Sequence, residues 1–578
     1  MNRRDRAVIV ALVLVLVVLG GIVALPRQAA APTPEEPAAE ITMPPRVVFR
    51  EGVVGVPESI TPVTARSRAE RTLVGLVFSG LVRLGPGTAY QPDLASSWSS
   101  DETGKTWTFT IRDDAVWHDG EPVTADDVVF TVEALKSPDA AGARAAAWAD
   151  VTVEAVDEKT VRLTLGTPIG GVLAVATQPL LPAHLLADVP FADLGTSDFA
   201  RLPVGSGPFA ITDVDGQRAT LVPASGVMTP VEDDPAASAG AAPSMDSLAT
   251  PLPRPSASLP RPYLDEVEVR FFEDEASLVA GLRNGEVDAA SGLSGARLDE
   301  LAQEEGIDSH AYPTTTLSTV LLNLRPGHKE LRDPKVRTAM LAAIDRDALV
   351  SDVLGGNATR ADALVPPTSW AYDTTSVGSV KHDPKAAAKA MQAAGWSKKG
   401  GKWVAPGDKG AYRLELLTVT PDANPRLASV AEYVQDSWKT FGFDVSLVAV
   451  EAADLATRLR SGDFTAAVVD IAEGLEPDLY PLLATSQVRA SGTNLAGFQD
   501  PPLDPLLEAA RKPGTPEERA VAWKALLAAL ATRQPLLPLA WNDEVMLARG
   551  LDGVTPRLIA DTGDRYWDVL AWRLAADR

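Results

Sequence analysis

Between Gly75 and Leu135 the apolar and polar positions alternate so regularly that almost every residue has a local role. Trp107, Phe109 and Ile111 alternate with Thr108, Thr110 and Arg112, the period-two pattern of a strand with one buried face. The polar run Asp101 to Lys105 supplies the turn before it. Thr124 then opens an amphipathic helix, with Asp127 completing a T-x-x-D variant of the capping box and Val128, Val129, Val132 and Leu135 forming the apolar side. Val151, Val153 and Val156, then Val161, Leu163 and Leu165, flank Asp157-Glu158-Lys159 and predict a second hairpin. Val267, Val269 and Phe271 predict a strand, Glu275 to Arg283 a helix, and Asn284-Gly285 its stop.

Beyond residue 313 the period lengthens. Thr314 to Leu324 is β-favouring, and Asp333 caps a helix whose first position is Pro334 and whose apolar stripe is Val336, Ala339, Met340, Ala343 and Ile344. Asp383-Pro384 to Gly395-Trp396 repeats that logic. Leu427, Val430, Ala431, Val434, Trp438 and Phe441 mark a helix, Phe443 to Val450 a strand, Ala452 to Ser461 a helix and Phe464 to Val469 a strand. This alternation with short joins predicts a parallel sheet covered by helices. Ligands of α/β sheets sit beyond the carboxyl ends of the strands, which directs attention to the run Asp470 to Asp478. Its candidate ligand-binding residues are Asp470, Ile471, Glu473 and Gly474, with Arg458 or Arg460 as partners for a ligand carboxylate.

Two stretches fall outside these patterns. Arg3, Arg4 and Arg6 precede an uncharged run of nineteen residues, Ala7 to Leu25. That length suits a membrane span better than the shorter apolar core of a cleaved signal, although Ala29-x-Ala31 would suit cleavage. The expectation is an uncleaved anchor with the bulk of the chain outside the cytoplasm. Residues 32–45 are rich in Pro, Ala and Glu and predict an extended tether. Pro223 to Pro262 carries nine prolines in forty residues, lacks periodicity and is expected to be disordered.

At 578 residues, 46% hydrophobic and 22% charged, the chain has ordinary globular usage and room for several domains. The net charge of −24 becomes −27 without residues 1–31, and no basic patch suggests a nucleic-acid partner. Cysteine is absent, which excludes disulfides and cysteine metal clusters. An enzyme finds little support. No H-E-x-x-H occurs, Gly104-Lys105-Thr106 has Ser99 where a phosphate loop needs its first glycine, and Gly205-Ser206-Gly207 lacks nucleophile-elbow spacing. His118, His184, His310, His328 and His382 lack ligand spacing, so neither a resident metal nor a cofactor is expected.

Pro92-Asp93-Leu94-Ala95, Trp98, the Asp101 to Phe109 hairpin, Ile111-Arg112, Trp117-His118-Asp119-Gly120-Glu121-Pro122-Val123 and Ala125-Asp126-Asp127-Val128 together resemble the signature region of the family 5 solute-binding proteins of ABC importers. Leu180 to Leu186, Pro203 to Phe209, Gly285-Glu286-Val287-Asp288, Asp333 to Arg337, Ala343 to Arg346 and Gln534 to Leu539 extend the likeness over roughly residues 46–560. Taken alone, the WHDG loop is an ordinary turn in which His118 is hydrogen-bonded to hold backbone in place. The missing N-terminal cysteine departs from the lipoproteins common in this family.

The resemblance implies an α/β, two-lobed periplasmic-binding-protein fold of the type II, Venus-flytrap kind with an extra small α/β subdomain. Lobe I is expected at 46–313 plus 533–578, with the subdomain at about 88–196, and lobe II at 314–532. Hinges are expected near Tyr312 to Thr316 and Arg533 to Pro535. It implies a monomeric, non-enzymatic binder that delivers peptides to an ABC permease and ATPase, with Glu473, counted back from Pro477, or Gly474, counted forward from Phe464, where peptide-binding relatives place an aspartate for the ligand's α-ammonium. Ile471 stands where they have tryptophan. Nickel chelates, haem or sugars are alternative solutes, and a receptor uncoupled from transport is an alternative role.

Overall fold

The strands that read as the most apolar runs of the sequence come together in one sheet. The computed structural model describes residues 46–85, 89–141, 145–224, 263–489, 492–514 and 516–575, and from Val47 onward they belong to one unit. Among the described residues the main sheet has eleven strands. They are β1 (Val48–Val54), β2 (Phe209–Val214), β3 (Arg218–Pro223), β4 (Glu266–Phe272), β5 (Ala289–Ser291), β6 (Asp308–Leu322), β7 (Ala358–Arg360), β8 (Arg413–Val419), β9 (Asp444–Val450), β10 (Ala466–Ala472) and β11 (Leu537–Ala548). Across the sheet they run β9-β8-β10-β6-β11-β5-β1-β4-β3-β2, with β7 also on β11.

Strands β8, β9 and β10 are mutually parallel as their alternation with helices predicts. The sheet as a whole is mixed, because β6 runs antiparallel to both β10 and β11. The reason is topological: β6 enters the second half of the sheet from the first and β11 returns, so the two must point in opposite directions. Antiparallel neighbours need no crossover helix.

Two large hydrophobic cores lie along this sheet. One gathers Phe49, Leu73, Phe109, Val267, Tyr312, Met546 and Trp572; the other gathers Leu317, Met340, Val434, Trp438, Val468, Leu539 and Trp541. Strand β6 changes core between Tyr312 and Leu317, where its register with β11 also shifts. Strand β11 changes core after Trp541. Leu536, Leu537, Leu539, Ala540 and Trp541 are all buried with the second core, and their apolar side chains on both faces keep the chain there.

Local elements follow their signals. The helix Ala125–Lys136 starts at Thr124, whose N–H donates to the Asp127 carboxylate at 2.8 Å. Asp127 also accepts from Trp117 Nε1 at 3.2 Å and from the Ala183 N–H at 2.7 Å, so one buried carboxylate ties cap, loop and neighbouring turn together. A separate four-stranded sheet, Ala95–Ser100, Thr106–Ile111, Thr160–Leu165 and Val151–Asp157 in that order, carries both predicted hairpins. His118 is the hydrogen-bonded turn histidine. Its Nδ1 accepts from the Gly205 N–H at 3.2 Å, and its Nε2 bonds the Gly207 carbonyl at 3.0 Å. A Cβ on Gly205 would lie 2.0 Å from the Val77 carbonyl oxygen and one on Gly207 2.6 Å from the Val77 carbonyl carbon, so this turn needs glycine for close approach.

The expected anchor, the tether and residues 225–262 of the proline-rich stretch lie outside the described residues. Among the described residues no helix is long and apolar enough to cross a membrane.

Beneath the first core, Glu51 and Arg565 form a fully buried ion pair at 2.5 Å. The Ser291 hydroxyl donates to Glu51 at 2.6 Å and Tyr566 to its other oxygen at 2.5 Å. This cluster fastens β1 to the C-terminal 3₁₀ segment Thr562–Ala571. Arg565→Met strands the Glu51 charge in the core and should cost roughly 3–5 kcal/mol of stability, read by chemical denaturation; a loss under about 1 kcal/mol would show that the Glu51 charge does not depend on this arginine.

Candidate ligand-binding site

At the carboxyl ends of β8 and β10 the chain leaves a cavity of about 890 Å³, within the ~300–1,000 Å³ usual for small-molecule sites. One wall is Leu427, on the helix Pro425–Phe441, together with Leu455, Ala456 and Leu459 on the helix Ala452–Ser461. Leu321, Val419 and Val469 come from the strands, Leu482 from the short helix Tyr480–Leu483 and Leu495 from the turn that follows. The first helix is held by its cap: Asn424 accepts from the Leu427 N–H at 3.0 Å, and Pro425 follows it. Asn424 itself also lines the cavity.

Asp470, Glu473, Glu476 and Asp478 are the acidic residues of the lining. Three are matched. Asp470 pairs with Arg426 and accepts from the Ser318 hydroxyl at 2.7 Å. Arg426 also donates to Asn542 Oδ1 at 2.8 Å and to Ser318 Oγ at 2.9 Å, so this pair is keyed into β6 and β11. Glu476 meets Arg519 at 2.8 Å, and that guanidinium lies 4.5 Å over the Trp370 ring. Asp478 meets Arg511 at 2.9 Å, with Arg511 4.5 Å over Tyr480.

Glu473 is the exception. Both its carboxyl oxygens are shut off from solvent and neither has a hydrogen-bond partner. Its backbone is clamped to β6, the N–H donating to the Thr315 carbonyl at 3.0 Å and the carbonyl accepting from the Thr315 hydroxyl. Burial, with the nearby negative charge of Asp478 adding to it, pushes the Glu473 carboxyl up to about 8.

Of the residues expected at the site, Asp470, Ile471, Glu473 and Gly474 all line the cavity. Arg458 and Arg460 do not. Arg458 turns away to Glu415 and the Asp463 carbonyl, and Arg460 is exposed, because they flank Leu459, which faces the cavity from the same helix turn. Reading the sequence missed Arg426, Arg511 and Arg519. Arg426 follows the carboxyl end of β8, so the strand-end rule applied there would have found it; nothing local marks the other two.

The rim of the cavity is also where the two cores' elements meet. A Cβ on Gly171 would lie 3.1 Å from Glu476 Cβ, one on Gly170 would lie 2.5 Å from the Arg519 guanidinium carbon, and the Gly170 N–H donates to the Arg511 carbonyl at 3.1 Å. Burial raises the Tyr90 phenol, and negative Glu476 raises it further, placing Tyr90 on this seam.

The family model of the bacterial extracellular solute-binding proteins, family 5, matches residues 89–491, and the chain belongs to that family. The oligopeptide-binding protein AppA of Bacillus subtilis (strain 168) is 25% identical over 511 residues, 87% of this chain and 88% of AppA. The structure of Bacillus subtilis AppA with a nonapeptide superposes with a TM-score of 0.68 at 23% identity, covering 92% of this chain and 100% of that one. NikZ from Campylobacter jejuni, solved with Ni(L-His), also gives 0.68, at 24% identity and 91% and 99% coverage. The fold is thus the two-lobed, mixed α/β architecture of these extracytoplasmic binding proteins.

The unmatched carboxyl has a measurable consequence. The folded, ligand-free protein keeps a proton on Glu473 that the unfolded chain gives up above about 4.5, so this group lowers stability progressively as pH rises from about 4.5 to about 8 and adds no further slope above. Glu473→Gln should flatten the stability profile in that window and leave it unchanged below; parallel wild-type and variant profiles from denaturant melts would refute the assignment.

Proposed function

We propose that this protein is the binding component of an ABC importer, that it captures peptides by their free amino end, and that it passes them to a permease and ATPase. The single observation behind the peptide reading is Glu473, an isolated carboxyl whose three acidic neighbours each have an arginine. An arriving ammonium is the missing partner. It converts a destabilised buried acid into a charge-assisted pair, and a ligand with a blocked amine leaves the carboxyl unsatisfied. The name of the AppA relative agrees with an oligopeptide ligand.

In this reading the two cores define two lobes, 46–313 with the end of the chain after Trp541, and 314–541. They close about β6 and β11. Closure follows ligand because the closed form, with Glu476 and Arg519 against Gly170 and Gly171, binds it more tightly than the open one. The run Ala7 to Leu25 holds the monomer at the outer face of the membrane.

Glu473 starts protonated below about 8 and must ionise to pair with an ammonium. Calorimetry at pH 7 in buffers of different ionisation heat should therefore show up to about one proton released per peptide bound. Glu473→Gln should abolish that release and weaken binding roughly 30-fold or more. Native mass spectrometry of the full chain, purified without refolding, should show a ladder of peptide masses. A single non-peptide mass would overturn the substrate, and binding unchanged in Glu473→Gln would overturn the ammonium role.

A further inference from the structure

We infer that the cavity selects its peptide by the first side chain, admitting a large apolar one and excluding a charged one. This rests on the amino-terminal reading of the site and adds to it the chemistry of the residue that carries the amine.

The first step is geometric. The ammonium and the first side chain of a peptide hang from the same Cα, so a nitrogen held at Glu473 commits that side chain to the space beside it. Glu473 shares the lining of the cavity with Leu321, Leu427, Leu455, Leu459, Leu482 and Leu495, so the space left for that side chain is rich in leucine. An apolar side chain placed there leaves water for a matching surface. A polar one loses water against leucine side chains, which offer no hydrogen bonds.

The second step is a count of charge. Among the acidic residues of the lining, Asp470, Glu476 and Asp478 are each held by an arginine, and Glu473 alone has a carboxyl without a partner. One ammonium fills it. A second cation, such as a lysine at the first position, has to compete with an arginine for its carboxylate. An acidic first residue meets a lining whose arginines are already engaged. The site therefore balances one positive charge and a neutral, bulky neighbour.

Calorimetric titration of the full-length chain with Leu-Ala-Ala, Phe-Ala-Ala, Gly-Ala-Ala, Lys-Ala-Ala, Asp-Ala-Ala and N-acetyl-Leu-Ala-Ala tests this. Leu and Phe in first place should bind on the order of 10- to 100-fold tighter than Gly, with Lys and Asp no tighter than Gly. Ala456→Phe fills the cavity from a half-exposed wall position and should collapse the Leu-to-Gly ratio towards one. Equal affinity across the free-amine series, or an unchanged ratio in Ala456→Phe, would overturn the selectivity while leaving the ammonium reading intact. Acetylated peptide binding as tightly as free peptide would overturn the ammonium reading and this inference with it, as would no binding by any free-amine peptide. The wild-type series decides the question even if the variant does not fold.

Discussion

The antiparallel pairing of β6 with β11 is the constraint on which the rest of the structure depends. Both strands belong to both cores, and both change core within a few residues of one another, at Tyr312 to Leu317 and after Trp541. A sheet that passes through two cores on shared strands can bend there at the cost of a few hydrogen bonds while each core stays packed. The same strands also hold the site. Thr315 grips the backbone of Glu473, and Ser318 and Asn542 receive Arg426. Any displacement of β6 relative to β11 therefore moves the groups that line the cavity, which is what the proposed closure on ligand requires.

Around the cavity, electrostatics is arranged by matching. Buried carboxylates are costly unless paired, and Asp470, Glu476 and Asp478 obey that rule through three arginines that the fold brings from different parts of the chain. Two of those arginines also lie over aromatic rings, which fixes the guanidinium plane as well as its charge. Glu473 breaks the rule among these described neighbours. In the proposed function, the ligand's ammonium is the partner that this group lacks.

The stretch that identifies the family is architectural. His118 and the Gly205 to Gly207 turn hold each other, Asp127 gathers three donors, and Trp107 to Ile111 packs within the small sheet. These residues belong to the four-stranded sheet and the elements around the first core, and they do not line the cavity. Relatives that share the fold at 23–24% identity are solved with a nonapeptide in one case and Ni(L-His) in another, so one architecture serves chemically different ligands.

The sequence by itself determined the elements and the family. Periodicity marked the helix at Leu427 to Phe441 and the strand after it, caps marked where helices start, and the strand-end rule pointed to the run Asp470 to Asp478, because each of these signals is local and repeats within a turn or a pleat. Direction and partnership were decided only by the tertiary structure. That β6 and β11 make the sheet mixed depends on where the chain returns from, and Arg458 and Arg460 were plausible ligand partners until the helix rotation turned them outward. The arginines that satisfy Glu476 and Asp478 come from residues 33 to 43 positions away along the chain. Charge matching of that kind is a property of distances in space, and no pattern of neighbours in sequence encodes which carboxylate is left without a partner.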